Sequence, residues 1–193
     1  MTMPGDTPSA INASPARVPR LSPEEVTDPE LQAVLERAEK LSTPKPEWYL
    51  TLGHAPQMAV EYARFWDLTH RGGRVEHTTK ELMRIAIATL LGCGFCAEQR
   101  SVLAVEQGLD EEAAAVCALP DFDHPDPRVR AALRFARAMT LDGPGRATGW
   151  DAIYAELREV FDLEEIIELG CFAAIAIGGV KLSRSLNEPD ALA

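Results

Sequence analysis

The chain has 193 residues, enough for one domain and marginal for two. It is 46% hydrophobic, 25% charged and only 6% aromatic, an Ala-rich mix that can bury a core and favours close-packed helices over a β-sandwich. A net charge of -11 repels phosphate backbones and anionic lipid, so neither nucleic acid nor a membrane surface is expected as a partner.

Residues 1–23 carry Pro4, Pro8, Pro15, Pro19 and Pro23 among Ser, Thr and Ala, and read as a flexible N-terminal tail without the basic and apolar blocks of an export signal. A single all-α domain is expected over 24–193. The longest apolar run, Leu169 to Val180, falls short of the roughly 20 residues of a membrane helix. The expected location is cytoplasmic, where close-set cysteines point to redox work or metal rather than to structural disulfides.

Helical spacing of Leu31, Val34, Leu35 and Ala38 predicts a first helix from Asp28 to Leu41, ended by Pro44 and Pro46. Trp48 to Leu52 is a short apolar patch. A second helix is expected from Pro56 to Thr69, striped by Met58, Tyr62, Phe65 and Trp66, and then a turn at Arg71-Gly72-Gly73-Arg74. The third should run from Thr78 to Leu91. The fourth should follow Gly92 and reach Gln107, with Gly108 as its left-handed stop. Asp110 caps a fifth, Asp126-Pro127 starts a sixth, and Thr148 caps a seventh around Trp150 to Val160. The eighth covers Leu163 to Leu186, apolar on every side in its middle, and so is expected at the centre of the fold or in a subunit contact. With no convincing strand, the architecture is a bundle of about eight helices. A weak internal echo at a shift of 84 positions superposes Glu81 on Glu165, Arg100 on Arg184 and Ser101 on Ser185, suggesting a duplicated helical hairpin.

The strongest chemical signal is Cys93-Gly94-Phe95-Cys96. At a helix start this spacing puts both sulfurs on one face, close enough for a disulfide to open and close, and the free amides favour thiolate. A redox dithiol is the leading reading; half of a zinc site, lacking a second ligand pair, and two buried structural thiols are the alternatives. Glu81 lies twelve residues before Cys93 and could relay protons to the sulfurs, or could merely close a capping box with Thr78. Arg100, four residues after Cys96, would face the same side of a continuous helix and favour the thiolate by charge, although it cannot accept a proton. His77 could approach the site; His54, His70 and His124 read as turn, packing or loop residues, and Cys117 and Cys171 as core.

Leu52-Gly53-His54-Ala55-Pro56, then Glu81-Leu82-Met83-Arg84-Ile85-Ala86, Cys93-Gly94-Phe95-Cys96 and Gln107-Gly108-Leu109 together resemble the carboxymuconolactone decarboxylase superfamily, on its alkyl hydroperoxidase D (AhpD-like) branch. The resemblance covers roughly Trp48 to Leu119 and continues more loosely to Leu186. It implies a small all-α protein that forms homo-oligomers and reduces hydroperoxides without a cofactor or metal. By position it makes Cys96 the attacking thiolate, Cys93 the resolving thiol and Glu81 part of a proton relay, with a thiol- or lipoyl-bearing protein as reductant. The chain departs from the peroxidase pattern at two points: Arg100 stands where the family has His, and Phe95 where it often has His. A non-catalytic helical binding protein is therefore the second reading, and a decarboxylase a more distant third.

Overall fold

The computed structural model describes residues 16–120, 122–141, 143 and 149–186. Its elements, in chain order, are a 3-10 turn Pro23–Glu25, then α1 Pro29–Leu41, α2 Pro46–Leu52, α3 Pro56–Trp66, a π-helical turn Asp67–Arg71, α4 His77–Leu90, α5 Gly94–Glu98, α6 Val102–Glu106, α7 Glu111–Val116, α8 Pro127–Thr140, α9 Gly149–Val160 and α10 Leu163–Ser185. The fold is all-helical, with no strand among the described residues.

Helix starts follow local chemistry. Side chains of Asp28, Asp110, Asp126 and Asp162 accept from backbone N–H groups in the first turns of α1, α7, α8 and α10, satisfying donors that have no intrahelical partner. Asp162 and Glu165 complete a capping box. The cap expected at Thr148 lies outside the described residues.

The centre of the fold is α4. Eleven of its residues are buried, Lys80, Glu81 and Arg84 among them, and it packs against α5, α8 and α10. The last helix, expected at the centre of the fold or in a subunit contact, packs one side into the core against α4 and α8. By length and composition α10 could cross a membrane, yet here Ile166, Leu169, Phe172, Ala173 and Ala176 face the core, while Leu163, Ile167 and Leu182 stay exposed. A smaller cluster, including Leu31, Trp48, Ala59 and Val60, ties α1, α2 and α3 together.

Three expectations change. The patch Trp48 to Leu52 is helical, within α2, because Pro46 supplies the preset first-turn φ. The end of the tail is docked: Leu21 donates to the Leu50 carbonyl, the Pro19 carbonyl hydrogen-bonds the His54 ring, and Arg17 reaches the Ser185 carbonyl; residues 1–15 lie outside the described residues. The duplicated hairpin is not formed, since residues 163–185 make one helix where the first copy turns at Gly92.

Candidate active site

The expected helix from Gly92 to Gln107 is broken. α5 ends at Glu98, Gln99 is extended (ψ 148°), and α6 begins at Val102. The cause is a buried ion pair on α4. Glu81 and Arg84 are one turn apart, with Arg84 Nε 2.9 Å from Glu81 Oε2 and Arg84 Nη2 2.9 Å from Oε1. Arg84 also donates to the carbonyls of Cys96 and Gln99, and the Ser101 N–H donates to Glu81 Oε1 at 2.8 Å. Those backbone groups bond to the pair in place of a continuing helix ladder. The break removes the register that would have put Arg100 one helical turn beyond Cys96. The Arg100 guanidinium instead pairs with Glu111 at 3.0 Å and donates to the carbonyls of Ala97 and Gln99.

Glu81 is fully buried. The helix begins at His77 with Glu76 at the N-cap and no side-chain cap bond, so Glu81 closes no capping box. His70, brought in by the π-helical turn, places Nε2 2.9 Å from Glu81 Oε2. Burial alone would push the Glu81 carboxyl up, but the Arg84 guanidinium and the bonds from His70 and Arg84 hold it well below the usual carboxylate range. Both its oxygens are thus engaged by Arg84, His70 and Ser101, and it acts on the thiol turn through Arg84. Burial also pushes the His70 imidazole down to about 3, against the opposing pull of Glu81. His70 is therefore neutral near pH 7, and Nε2 carries the proton because a carboxylate can only accept. His77 extends the network: Nδ1 lies 2.8 Å from the His70 carbonyl and Nε2 2.8 Å from Ser101 Oγ.

Cys93 and Cys96 are joined as a disulfide with Cα atoms 5.3 Å apart. Gly92 reaches a left-handed φ of 69°, open to glycine at no steric cost, and so turns the chain from α4 into the thiol segment. Cys93 is buried and its Sγ accepts from the Cys96 N–H at 3.3 Å. Cys96 is half-buried and lines a cavity of about 60 Å³ with Trp48, Tyr62, Trp66 and Phe95 among its walls. Cys117 and Cys171 are free thiols. Cys117 is buried, with its thiol pushed up to about 11 by desolvation, as suits a packing residue.

Sequence reasoning brought Glu81 and the cysteines to one neighbourhood but missed Arg84 and His70. Arg84 had a signal, the i,i+3 spacing from Glu81. His70 had none, because it reaches Glu81 through a turn whose path tertiary packing sets.

The model of the carboxymuconolactone decarboxylase family matches residues 56–138, the stretch from α3 into α8 that contains the whole ion-pair network and both site cysteines. The uncharacterized protein YdfG of Bacillus subtilis is 29% identical over 96 residues, which is 49% of this chain and 64% of YdfG, so the match spans just under two thirds of that relative. The fold is shared with the debrominase Bmp8 in its apo form, at a TM-score of 0.74 and 19% identity over 90% of this chain and 91% of that one. A cysteine-to-alanine variant of Bmp8 in complex with 2,3,4-tribromopyrrole superposes at 0.76 with 18% identity, over 93% and 94%. A protein of unknown function from Agrobacterium tumefaciens, described as a candidate AhpD antioxidant-defence protein, superposes at 0.58 with 18% identity, over 70% and 92%.

Proposed function

We propose that the protein is a thiol-dependent oxidoreductase that reduces hydroperoxides through a Cys93–Cys96 dithiol/disulfide cycle. The observation that carries this is the pairing of one half-buried sulfur, on the cavity wall at Cys96, with one buried sulfur, Cys93, at bonding distance. The Cys96 thiolate attacks the terminal peroxide oxygen. The O–O bond breaks, the alkoxide leaves and takes a proton, and Cys96 becomes a sulfenic acid. The Cys93 thiolate then attacks the Cys96 sulfur and expels water, leaving the disulfide. In the reduced form the Cys96 N–H, now bonded to Cys93 Sγ, stabilises the resolving thiolate. Two electrons and two protons from a thiol- or lipoyl-bearing protein restore the dithiol. Arg84 and Glu81 are positioning residues that hold the Cys96 carbonyl. Arg100 is left with a surface pairing to Glu111, and no described side chain replaces the family His as a base.

The test is mass spectrometry after treatment with a small excess of peroxide. Wild type should lose two mass units as the disulfide forms, Cys93→Ser should gain the oxygen of a sulfenic acid at Cys96, and Cys96→Ser should form no disulfide. Reduced wild-type protein left unchanged would refute the proposal.

A second reading is favoured by the aromatic walls. The same dithiol can reduce a halogenated ring: Cys96 takes the halogen, the ring carbanion takes a proton, and Cys93 expels halide as the disulfide forms. Halide release from a bromopyrrole with a dithiol present, set beside hydroperoxide turnover, separates the two. Self-association is also proposed, across the exposed apolar residues of α10.

A further inference from the structure

We propose that the Tyr62 hydroxyl donates the proton to the alkoxide that leaves when Cys96 attacks an alkyl hydroperoxide. The inference deepens the hydroperoxide reading and rests on it for the reaction.

Three observations lead there. First, the hydroxyl stands at the wall of the cavity that Cys96 also lines. Tyr62 on α3 and Cys96 on α5 border the same space of about 60 Å³, together with Gly179 and Val180 of α10. Cys96 packs against the cluster that holds Val180. Gly179, one residue earlier, meets the Tyr62 hydroxyl so closely that a Cβ there would lie 2.3 Å from its oxygen. A water needs about 10–15 Å³ of cavity, so this one takes a handful of heavy atoms. An occupant in contact with Cys96 therefore meets the Tyr62 wall as well.

Second, the Tyr62 proton is uncommitted. The Trp48 indole N–H bonds the Tyr62 oxygen, and an indole nitrogen can only donate. The phenol oxygen is the acceptor of that bond, and its own O–H has no acceptor among the described residues. Burial pushes the phenol up from its ordinary value of 10, so it holds its proton at neutral pH. The ring is fixed edge-on to Trp48, with centroids 5.6 Å apart, and stacked on Trp66 at 6.3 Å.

Third, the described wall offers no comparable acid. Arg84 bonds Glu81 and the Cys96 carbonyl, and a guanidinium does not give up its proton. The Gln99 amide donates to the Phe95 carbonyl. Thr43 and Ser183 are aliphatic alcohols, weaker acids than a phenol. With Tyr62 the step balances. The Cys96 thiolate forms the S–O bond to the terminal oxygen, the O–O bond breaks, and its electron pair goes to the alkoxide. The Tyr62 proton moves to that oxygen and gives the alcohol, while the hydroxyl left on sulfur is the sulfenic acid. The phenolate keeps the Trp48 bond and regains a proton from water, matching the one that Cys96 released on ionising.

The experiment follows oxidation of the reduced protein in a single turnover, read by mass at the Cys96 peptide. It compares tert-butyl hydroperoxide, whose alkoxide needs a proton, with peracetic acid, whose carboxylate leaves without one. Tyr62→Phe keeps the ring and should slow the alkyl hydroperoxide about tenfold or more, while the peracetic acid rate stays within about twofold. Equal slowing of both oxidants, or of neither, would overturn the inference, because a purely structural role moves the two rates together. A second measurement uses wild type and keeps the test open if the variant does not fold. The solvent deuterium isotope effect should be larger with tert-butyl hydroperoxide than with peracetic acid, the contribution of the thiol itself being common to both. Equal isotope effects would also overturn the inference. Wild-type Cys96 left unoxidised by either reagent defeats the redox reading and this inference with it. Oxidation by both, without a difference between them, defeats this inference alone.

Discussion

Glu81 and Arg84 form a charged pair where water does not reach, and such pairs cost more to break than to replace. Removing one partner strands the other as a bare buried charge. Arg84→Met is expected to lower unfolding stability by about 3–5 kcal/mol, and the double variant Glu81→Leu/Arg84→Met to cost less than Arg84→Met alone. Urea titration measures both; a double variant no more stable than the single would show that the pair is not what organises the thiol turn. His70 adds an acid sensitivity. Its folded value of about 3 lies below the ordinary imidazole value of 6.5, so the unfolded chain binds more protons between those values, and stability falls as pH drops from about 6.5 towards 3. Glu81, held low, contributes stability that is lost only below its unfolded value of 4.5. Between pH 4.5 and 6.5 the loss therefore belongs mainly to His70, with a share from His77, which burial also lowers. The ceiling is about 1.4 kcal/mol per pH unit for each proton taken up. His70→Gln should flatten the slope of unfolding free energy against pH in that window, and an unchanged slope would place the proton uptake elsewhere.

Between helices the decisive feature is the break after α4. Gly92 leaves the helix with a left-handed φ, and the Cys93 N–H donates back to the Ala88 carbonyl at 2.9 Å. Gly92→Ala should cost about 1–2 kcal/mol, because a Cβ disfavours that φ, and should slow re-formation of the disulfide after reduction. A thermal melt and a thiol-titration time course read the two effects. A full helix from Gly92 to Gln107 was the natural expectation, since Ala, Leu, Glu and Gln are all good helix formers. It failed at Gln99 and Arg100 because the Arg84–Glu81 pair claims the Gln99 carbonyl and the Ser101 N–H. Local propensity cannot register a partner buried on another helix.

Across the whole molecule, α10 has two characters. One side buries Leu169, Phe172 and Ala176, and the other leaves Leu163 and Ile167 about two thirds or more exposed. Near its start, Glu168 accepts from Lys80 at 2.6 Å and from the backbone N–H groups of Arg74 and Val75, pinning the turn before α4. If a second copy covers the exposed side, Ile167→Lys should shift the sedimentation mass towards the monomer without changing the helical circular dichroism signal. An unchanged mass would remove this side from any assembly. The residues alone determined the helical class, the positions of most helix starts, and the pairing of Cys93 with Cys96. Those depend on side-chain periodicity, capping and short spacings, which are local. Tertiary structure decided that Arg84 and His70 join Glu81, that Arg100 turns to Glu111, and that Cys96 rather than Cys93 meets the aromatic cavity. These rest on which groups are shut away from water together, and burial is a property of the packed chain.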